Sequence, residues 1–407
     1  MTANQWVHDI SSDVRPSVST PNLRIVLSTN SRDRGSTSRT LEAWSRLLPA
    51  SGVQPTVTVG GMGPLFSALQ EANIPARIRP LRVRPYRTWP FPFAYAVLRL
   101  AATIKAARAS VVHVNEHDHH VVAAHAAALT GVRIVTHLRF KPEPDYCRWL
   151  FRPGRTPDRL FFTSRSQMQD SADAVAPVVP RERWRLLPNG LDFAVFGGFQ
   201  RQRESVRADW RLDSGTIAVG TACAISPRKR LDHFIRLIAR LRATGVPAHG
   251  FIAGGPHFPE DQKIVVELRH LAASLAVTNH VTFLGYVEPI EPLFHAWDLC
   301  VSTSSYETFG MTVLEAMGCG CPVLAYPGGS VQEIVGEAAK VVADGDERAL
   351  LDAAIAFSRD AELRREMGAR GRRHAQCTYD IHRIVETLAA EYREVVSERA
   401  LGYSAAL

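Results

Sequence analysis

From Leu23 onward, short runs of β-branched and apolar residues alternate with stretches in which apolar residues recur at every third or fourth position. The runs Leu23 to Ser28, Thr56 to Val59, Ser110 to Val114, Arg133 to Thr136 and Arg159 to Thr163 read as strands, and Thr40 to Leu48 and Phe93 to Ala109 as helices between them. Strand and helix in regular alternation predict a parallel, doubly wound α/β sheet. The alternation lapses over Asn189 to about Ser214. It restarts with Thr216 to Ala222, His249 to Ala253, Val281 to Leu284, Leu299 to Ser302 and Pro322 to Ala325, and from Asp346 to about Arg399 the pattern is helical throughout. The expected organisation is a disordered arm over 1–22, an α/β domain over 23–192, a linker over 193–213, a second α/β domain over 214–380 and a C-terminal helix over 381–407 packing across both. Open sheets bind ligands beyond the carboxyl ends of their strands, so the cleft between the domains is the expected site.

Charge sharpens this division. The 407 residues carry a net +8, which points to an anionic partner without choosing one. Up to Gly190, 25 Lys and Arg face 13 Asp and Glu, a net +12, whereas the remainder holds 23 against 27, a net −4. Cys147, Cys223, Cys300, Cys319, Cys321 and Cys377 form no CxxC pair, which fits reduced thiols in the cytoplasm. No apolar stretch reads as a signal peptide or a membrane span.

Chemistry concentrates in the segment from Ser304 to Val323, SSYETFGMTVLEAMGCGCPV. It leaves a buried strand, passes through a loop, opens a helix near Gly310 and ends at another strand. Gly310 lets a ligand approach the backbone, and the free N–H groups of the helix start suit a diphosphate. Glu307 can accept from ligand hydroxyls. Glu315, among Val313, Leu314, Ala316 and Met317, is expected to be buried, where a ribose diol would satisfy it. Thr312-Val-Leu-Glu315 also fits a capping box, and Ser330-Val-Gln-Glu333 does the same after Gly328-Gly329.

The segment resembles the EX7E motif of retaining glycosyltransferase family 4, the group 1 glycosyl transferases, with Glu307 and Glu315 as its glutamates. Pro188-Asn-Gly-Leu-Asp192, Ala253-Gly-Gly-Pro256, Phe283-Leu-Gly285 and Gly328-Gly329 with Glu333 follow as further family landmarks, in order. The resemblance spans about Leu23 to Val396. It implies the GT-B architecture, two Rossmann-like domains facing a cleft, with the donor on the second and the acceptor on the first. It also implies that Glu307 contacts the donor sugar and Glu315 the ribose, and that Phe309, Gly310 and Met311 lie against sugar and phosphate. Gly35 would meet the diphosphate at a soft single-glycine match, where a plain helix start is an equal reading. His137, at the end of its strand, would lie in the cleft near the transferred sugar. Lys229 matches a diphosphate lysine, but Ala224 stands at the usual arginine, so that Arg228 or Arg230 would have to compensate.

His113, His117, His119, His120 and His125 lack the ligand spacing of a metal site and read as a solvated or cleft-edge cluster. No metal or cofactor is called for. Arg77, Arg79, Arg82, Arg84, Arg87, Arg99, Lys105 and Arg108 occur with no acid between Glu71 and Glu116, interleaved with Tyr86, Trp89, Phe91, Phe93 and Tyr95. This is either a solvated helix face with core aromatics or a surface that docks on an anionic membrane. The expected function is transfer of a sugar, with retention, from a UDP- or GDP-sugar to a hydroxyl acceptor that is a glycan, lipid-linked or a small molecule, with a phosphorylated or lipid-linked one preferred, in the cytoplasm either free or peripheral at the inner face of the membrane. Three alternatives stand beside it: a catalytically weak nucleotide-sugar-binding homologue, a basic protein binding nucleic acid or membrane, and a dehydrogenase. Nucleic acid is the poorer partner because no such motif is present. Gly60-Gly-Met-Gly63 lacks the third glycine a dehydrogenase turn needs.

Overall fold

The computed structural model describes residues 22–81, 90–196, 203–256 and 258–404; the N-terminal arm over 1–21 and Arg82, Arg84, Tyr86, Arg87 and Trp89 lie outside them. The first sheet is built from β1 (Leu23–Ser28), β2 (Val53–Val59), β3 (Ala76–Ile78), β4 (Val111–Val114), β5 (Arg133–Leu138), β6 (Arg159–Phe162) and β7 (Trp184–Leu186). Its order is β3-β2-β1-β4-β5-β6-β7, with every pairing parallel. The second sheet contains β8 (Ile217–Ala222), β9 (Ala248–Ala253), β10 (Val281–Gly285), β11 (Leu299–Ser302), β12 (Val323–Ala325) and β13 (Lys340–Val341), in the order β10-β9-β8-β11-β12-β13. In each sheet the order reverses beside the first strand, between β1 and β4 and between β8 and β11. That reversal opens a crevice at the strands' carboxyl ends.

The edge strands β3, β7 and β13 escape the hydrophobic pattern because two or three residues are too few to show a period. Strands β4 and β11 are buried throughout, and β1 and β8 over all but their first residues, as parallel strands covered on both faces must be. The expected linker is partly helical, at Phe193–Phe196 and Arg203–Asp209, while residues 197–202 lie outside the described set. Arg203 and Arg207 of the second helix both bond the nearly buried Asp298 carboxylate, which fastens the segment to the second domain.

The chain returns to the first domain at its end. Leu191 N–H donates to the Tyr379 carbonyl and Ile381 N–H to the Leu191 carbonyl, so the two crossings lie side by side. Gly190 is needed there, since a Cβ would sit 2.8 Å from Ile381. The helix Ile381–Ser404 then buries Ile384, Val385, Leu388, Ala389, Tyr392 and Val395 against Ile25, Leu41 and Trp44. Its Glu391, Glu394 and Glu398 surround the buried Arg159. This helix therefore completes the core of the first domain.

Candidate active site in the interdomain cleft

The loop after β11 is laced to the loop after β8. Thr303 Oγ1 donates to the Lys229 carbonyl (2.8 Å), Ser305 N–H to the Arg228 carbonyl (2.9 Å) and the Arg228 guanidinium to the Tyr306 carbonyl (2.9 Å). On its other side the loop closes onto the Gly328-Gly329 turn: Glu307 N–H donates to the Gly328 carbonyl and Ser330 N–H to the Glu307 carbonyl. Both glycines are required by contact. A Cβ on Gly329, which has φ +62°, would sit 2.2 Å from the Glu307 carbonyl oxygen, and one on Gly328 would sit 2.6 Å from the Ser304 carbonyl oxygen. These contacts leave the Glu307 carboxylate paired with the Lys229 ammonium, both side chains nearly buried.

The next helix, Met311–Gly318, starts from Gly310 at φ +93° with no side-chain cap. The capping-box reading fails because Thr312 Oγ1 donates instead to the Ala222 carbonyl at the end of β8 (2.6 Å). Glu315 is correspondingly turned away, 4 % exposed, and receives a bond from Arg39 of the first domain at 2.6 Å. Burial pushes the Glu315 carboxyl up, Arg39 pulls it down, and the balance is upward. Phe309 turns its ring inward, edge-on to Tyr379, and Met311 packs on the second domain's core, so these two offer the cleft backbone rather than side chains. Helix Ser36–Leu47 begins directly after Gly35, whose Cβ position is open and whose φ is −65°. Nothing at that position demands a glycine.

Arg230 makes two bonds to Asp344, and Arg228 is engaged with Tyr306, which leaves Lys229 as the cation of that loop that meets Glu307. Arg39 is the cation the sequence analysis missed, and its only local signal is a position one turn into a helix that starts at the cleft. Arg139 was missed as well. It follows β5 and donates to Asn115 Oδ1 and Asn189 Oδ1 (2.6 Å each), and burial lowers its guanidinium to about 10.

The expectation for His137 is corrected. β5 runs two residues beyond Thr136, so His137 lies within the strand, and its ring points beneath the sheet into the first domain's core. It stacks on Trp44 (5.7 Å, 12°) and His113 (5.9 Å), and burial, opposed only in part by the Leu187 backbone, holds it well below the usual histidine range. The neighbouring histidines are also buried rather than solvated, His125 aside: His119 bonds Ser28 and Asp118, His120 bonds Thr136 and the Arg155 carbonyl, and His113 bonds Tyr392. Among the described residues no three His, Cys, Asp or Glu side chains are grouped to hold a metal ion.

Glu333 has a different role from the expected cap of its own helix. Its carboxylate accepts from the N–H groups of Arg165 (2.9 Å) and Ser166 (2.8 Å) and from Ser166 Oγ (2.9 Å), capping a helix of the first domain from the second. Ser164 Oγ bonds Ser330 Oγ (2.6 Å), and Thr163 Oγ1 donates to the Thr308 carbonyl (3.2 Å). The loop bearing Glu307 is thus held from both domains.

Two facing Rossmann-like domains with an uncapped helix start, a lysine and two glutamates on one wall define an α/β protein of the GT-B class. Residues 202–374 match the family model for glycosyl transferases group 1, and residues 35–194 that for a glycosyl transferase 4-like domain. The chain belongs to the group 1 glycosyl transferases. It is 25 % identical over 224 residues to N-acetyl-alpha-D-glucosaminyl L-malate synthase of Bacillus anthracis, and 31 % identical over 254 residues to D-inositol 3-phosphate glycosyltransferase of Salinispora arenicola. These matches take in 54 % and 59 % of the chain and span about half the length of the relatives, 56 % and 55 %. Among solved structures, Anabaena HepE in complex with UDP and glucose superposes with a TM-score of 0.80 at 21 % identity, covering 91 % of this chain and 99 % of HepE, a likeness of fold.

Proposed function

We propose that the protein transfers a sugar, with retention, from a nucleoside-diphosphate sugar to a hydroxyl acceptor. The observation that carries the reading is the meeting of Lys229, Glu307 and the uncapped start of helix Met311–Gly318 on one wall of the cleft. A diphosphate placed there is stabilised by the ammonium and by the free N–H groups of the helix start. Glu307 accepts from the sugar hydroxyls, and Glu315 from the ribose. The bond from the anomeric carbon to the departing phosphate oxygen breaks, the acceptor oxygen bonds that carbon on the same face, and the acceptor's proton passes to the departing phosphate.

A UDP- or GDP-sugar is the proposed donor, and HepE, solved with UDP and with UDP-glucose, supports the uridine form. The acceptor is proposed to be phosphorylated or lipid-linked and presented at the inner face of a membrane. In support of that siting, the helix Pro90–Ala107 exposes Phe91, Tyr95 and Leu98 beside Arg99 and Lys105, a surface that vesicle sedimentation tests.

A thermal-shift panel of UDP-, GDP-, ADP- and dTDP-sugars identifies the donor, since a ligand at a hundred times its Kd stabilises by about 2.7 kcal/mol. With that donor, Glu307→Ala and Lys229→Ala are expected to abolish turnover while the circular dichroism spectrum stays native. Near-normal turnover in either variant would overturn the assignment of the site.

A further inference from the structure

We infer that Arg39 is a positioning residue for the nucleotide site: reaching from the first domain, it fixes the Glu315 carboxylate in one orientation and keeps it charged for the ribose. The inference rests on the reading of Glu315 given above and adds the partner that makes a buried carboxylate usable there.

The geometry is specific. Arg39 lies one turn inside helix Ser36–Leu47, 276 positions from Glu315, and its Nη2 donates to Glu315 Oε1 at 2.6 Å. The other oxygen, Oε2, stays outside this bond. Glu315 is flanked by Val313, Leu314, Ala316 and Met317, each at most 1 % exposed. A carboxylate in such surroundings persists only with a partner, because desolvation favours the neutral acid. The other titratable groups around it supply none: Glu291 is a like charge, and Cys300 and Cys319 are buried thiols. Arg39 is faced in turn by Glu288, Glu291 and Tyr286.

Removing the guanidinium therefore has a definite sign. Burial and Glu291 both raise the Glu315 carboxyl, and Arg39 lowers it. Without Arg39 the carboxyl takes up its proton at a higher pH than in the wild type. Between the two titrations the variant presents a neutral acid where the wild type presents a carboxylate, and the bond to a ribose hydroxyl weakens.

The test is isothermal titration of the full chain with UDP, and with GDP as a second probe, at a series of pH values from about 5 to 9. The quantity read is the ratio of the Kd of Arg39→Met to that of the wild type, in which the ionisation of the nucleotide itself cancels. The ratio is expected to be smallest at the high-pH end and to rise several-fold, to about tenfold, as the pH falls through the titration of the Glu315 carboxyl in the variant. Arg39→Lys, which keeps the charge, is expected to show a flat profile near the wild type. The pH dependence is expected to disappear when Arg39→Met is measured against a Glu315→Gln background. A ratio for Arg39→Met that does not change with pH overturns the inference, as does an Arg39→Lys profile that follows Arg39→Met. A wild type that binds neither nucleotide overturns the reading of the site itself.

Discussion

Glu307 and Glu315, which the motif places together, meet different cations by different routes. Lys229 reaches Glu307 from a loop of the same domain, whereas Arg39 reaches Glu315 across the cleft. His113, His117, His120 and His137 behave in the opposite way, because burial outweighs whatever favours their protonation. Burial lowers His113 and His117 to about 3 and His120 to about 4, and His137 lies well below its usual range too. In the unfolded chain each titrates near 6.5, so below that pH the unfolded state binds protons that the folded state refuses. Stability is thus complete above about pH 6.5 and is lost as the pH falls toward 3 or 4, by about 2 kcal/mol per imidazole at pH 5. His137→Phe fills the same stack with a ring that does not titrate. It is expected to melt higher than the wild type at pH 5, with a smaller gain at pH 7.5, and to keep turnover within about twofold. Loss of turnover in a folded His137→Phe would return this residue to the active site.

At the scale of elements, what could be read from the chain was what lies close together in it. The alternation of strand and helix gave both sheets, and the run from Ser304 to Val323 gave Glu307, Gly310 and Glu315, because strand end, loop and helix start are contiguous there. Arg39 and the partners of Glu333 were hidden, since contacts spanning 276 and about 168 positions leave no local period. His137 was misplaced by a two-residue error in a strand end, enough to move it from the cleft edge into the core. The helix Pro90–Ala107 shows a further limit: its pattern could not distinguish core aromatics from surface ones. Phe91, Tyr95 and Leu98 are 69 %, 61 % and 61 % exposed and follow one another at helical spacing. Arg99 donates to the Tyr95 hydroxyl, so charge and apolar surface lie together. The protein is expected to sediment with vesicles containing anionic lipid more than with neutral ones, and Phe91→Ser with Leu98→Ser is expected to remove most of that binding. Equal sedimentation of wild type and variant would end the membrane reading.

The charge of the whole molecule divides as its architecture does, with the excess positive charge on the first domain. The contacts that join the domains include the paired crossings at Leu191 and Ile381, the Arg39–Glu315 bond with the Arg34–Glu288 ion pair, and the group of contacts around Glu333. The last of these is the most exacting, because one carboxylate caps two N–H groups and a hydroxyl on a helix of the other domain. Hydrogen bonds to a charged group contribute about 1.5–3 kcal/mol each, while Ser164 Oγ, which accepts from Gln167 N–H, remains as that helix's own cap. Part of that is recovered by water once the domains separate. Glu333→Ala is therefore expected to leave each domain folded while shifting the pair toward a more open arrangement. Small-angle scattering reads this as a larger radius of gyration than the wild type at equal secondary-structure content. Opening also withdraws Thr163 and Ser164 from the Thr308 carbonyl beside Glu307, so kcat is expected to fall more than the affinity for UDP. Glu333→Gln keeps an acceptor oxygen and is expected to lie between. An unchanged radius of gyration together with unchanged kcat in Glu333→Ala would show that the contacts around Glu333 do not set the closure of the cleft.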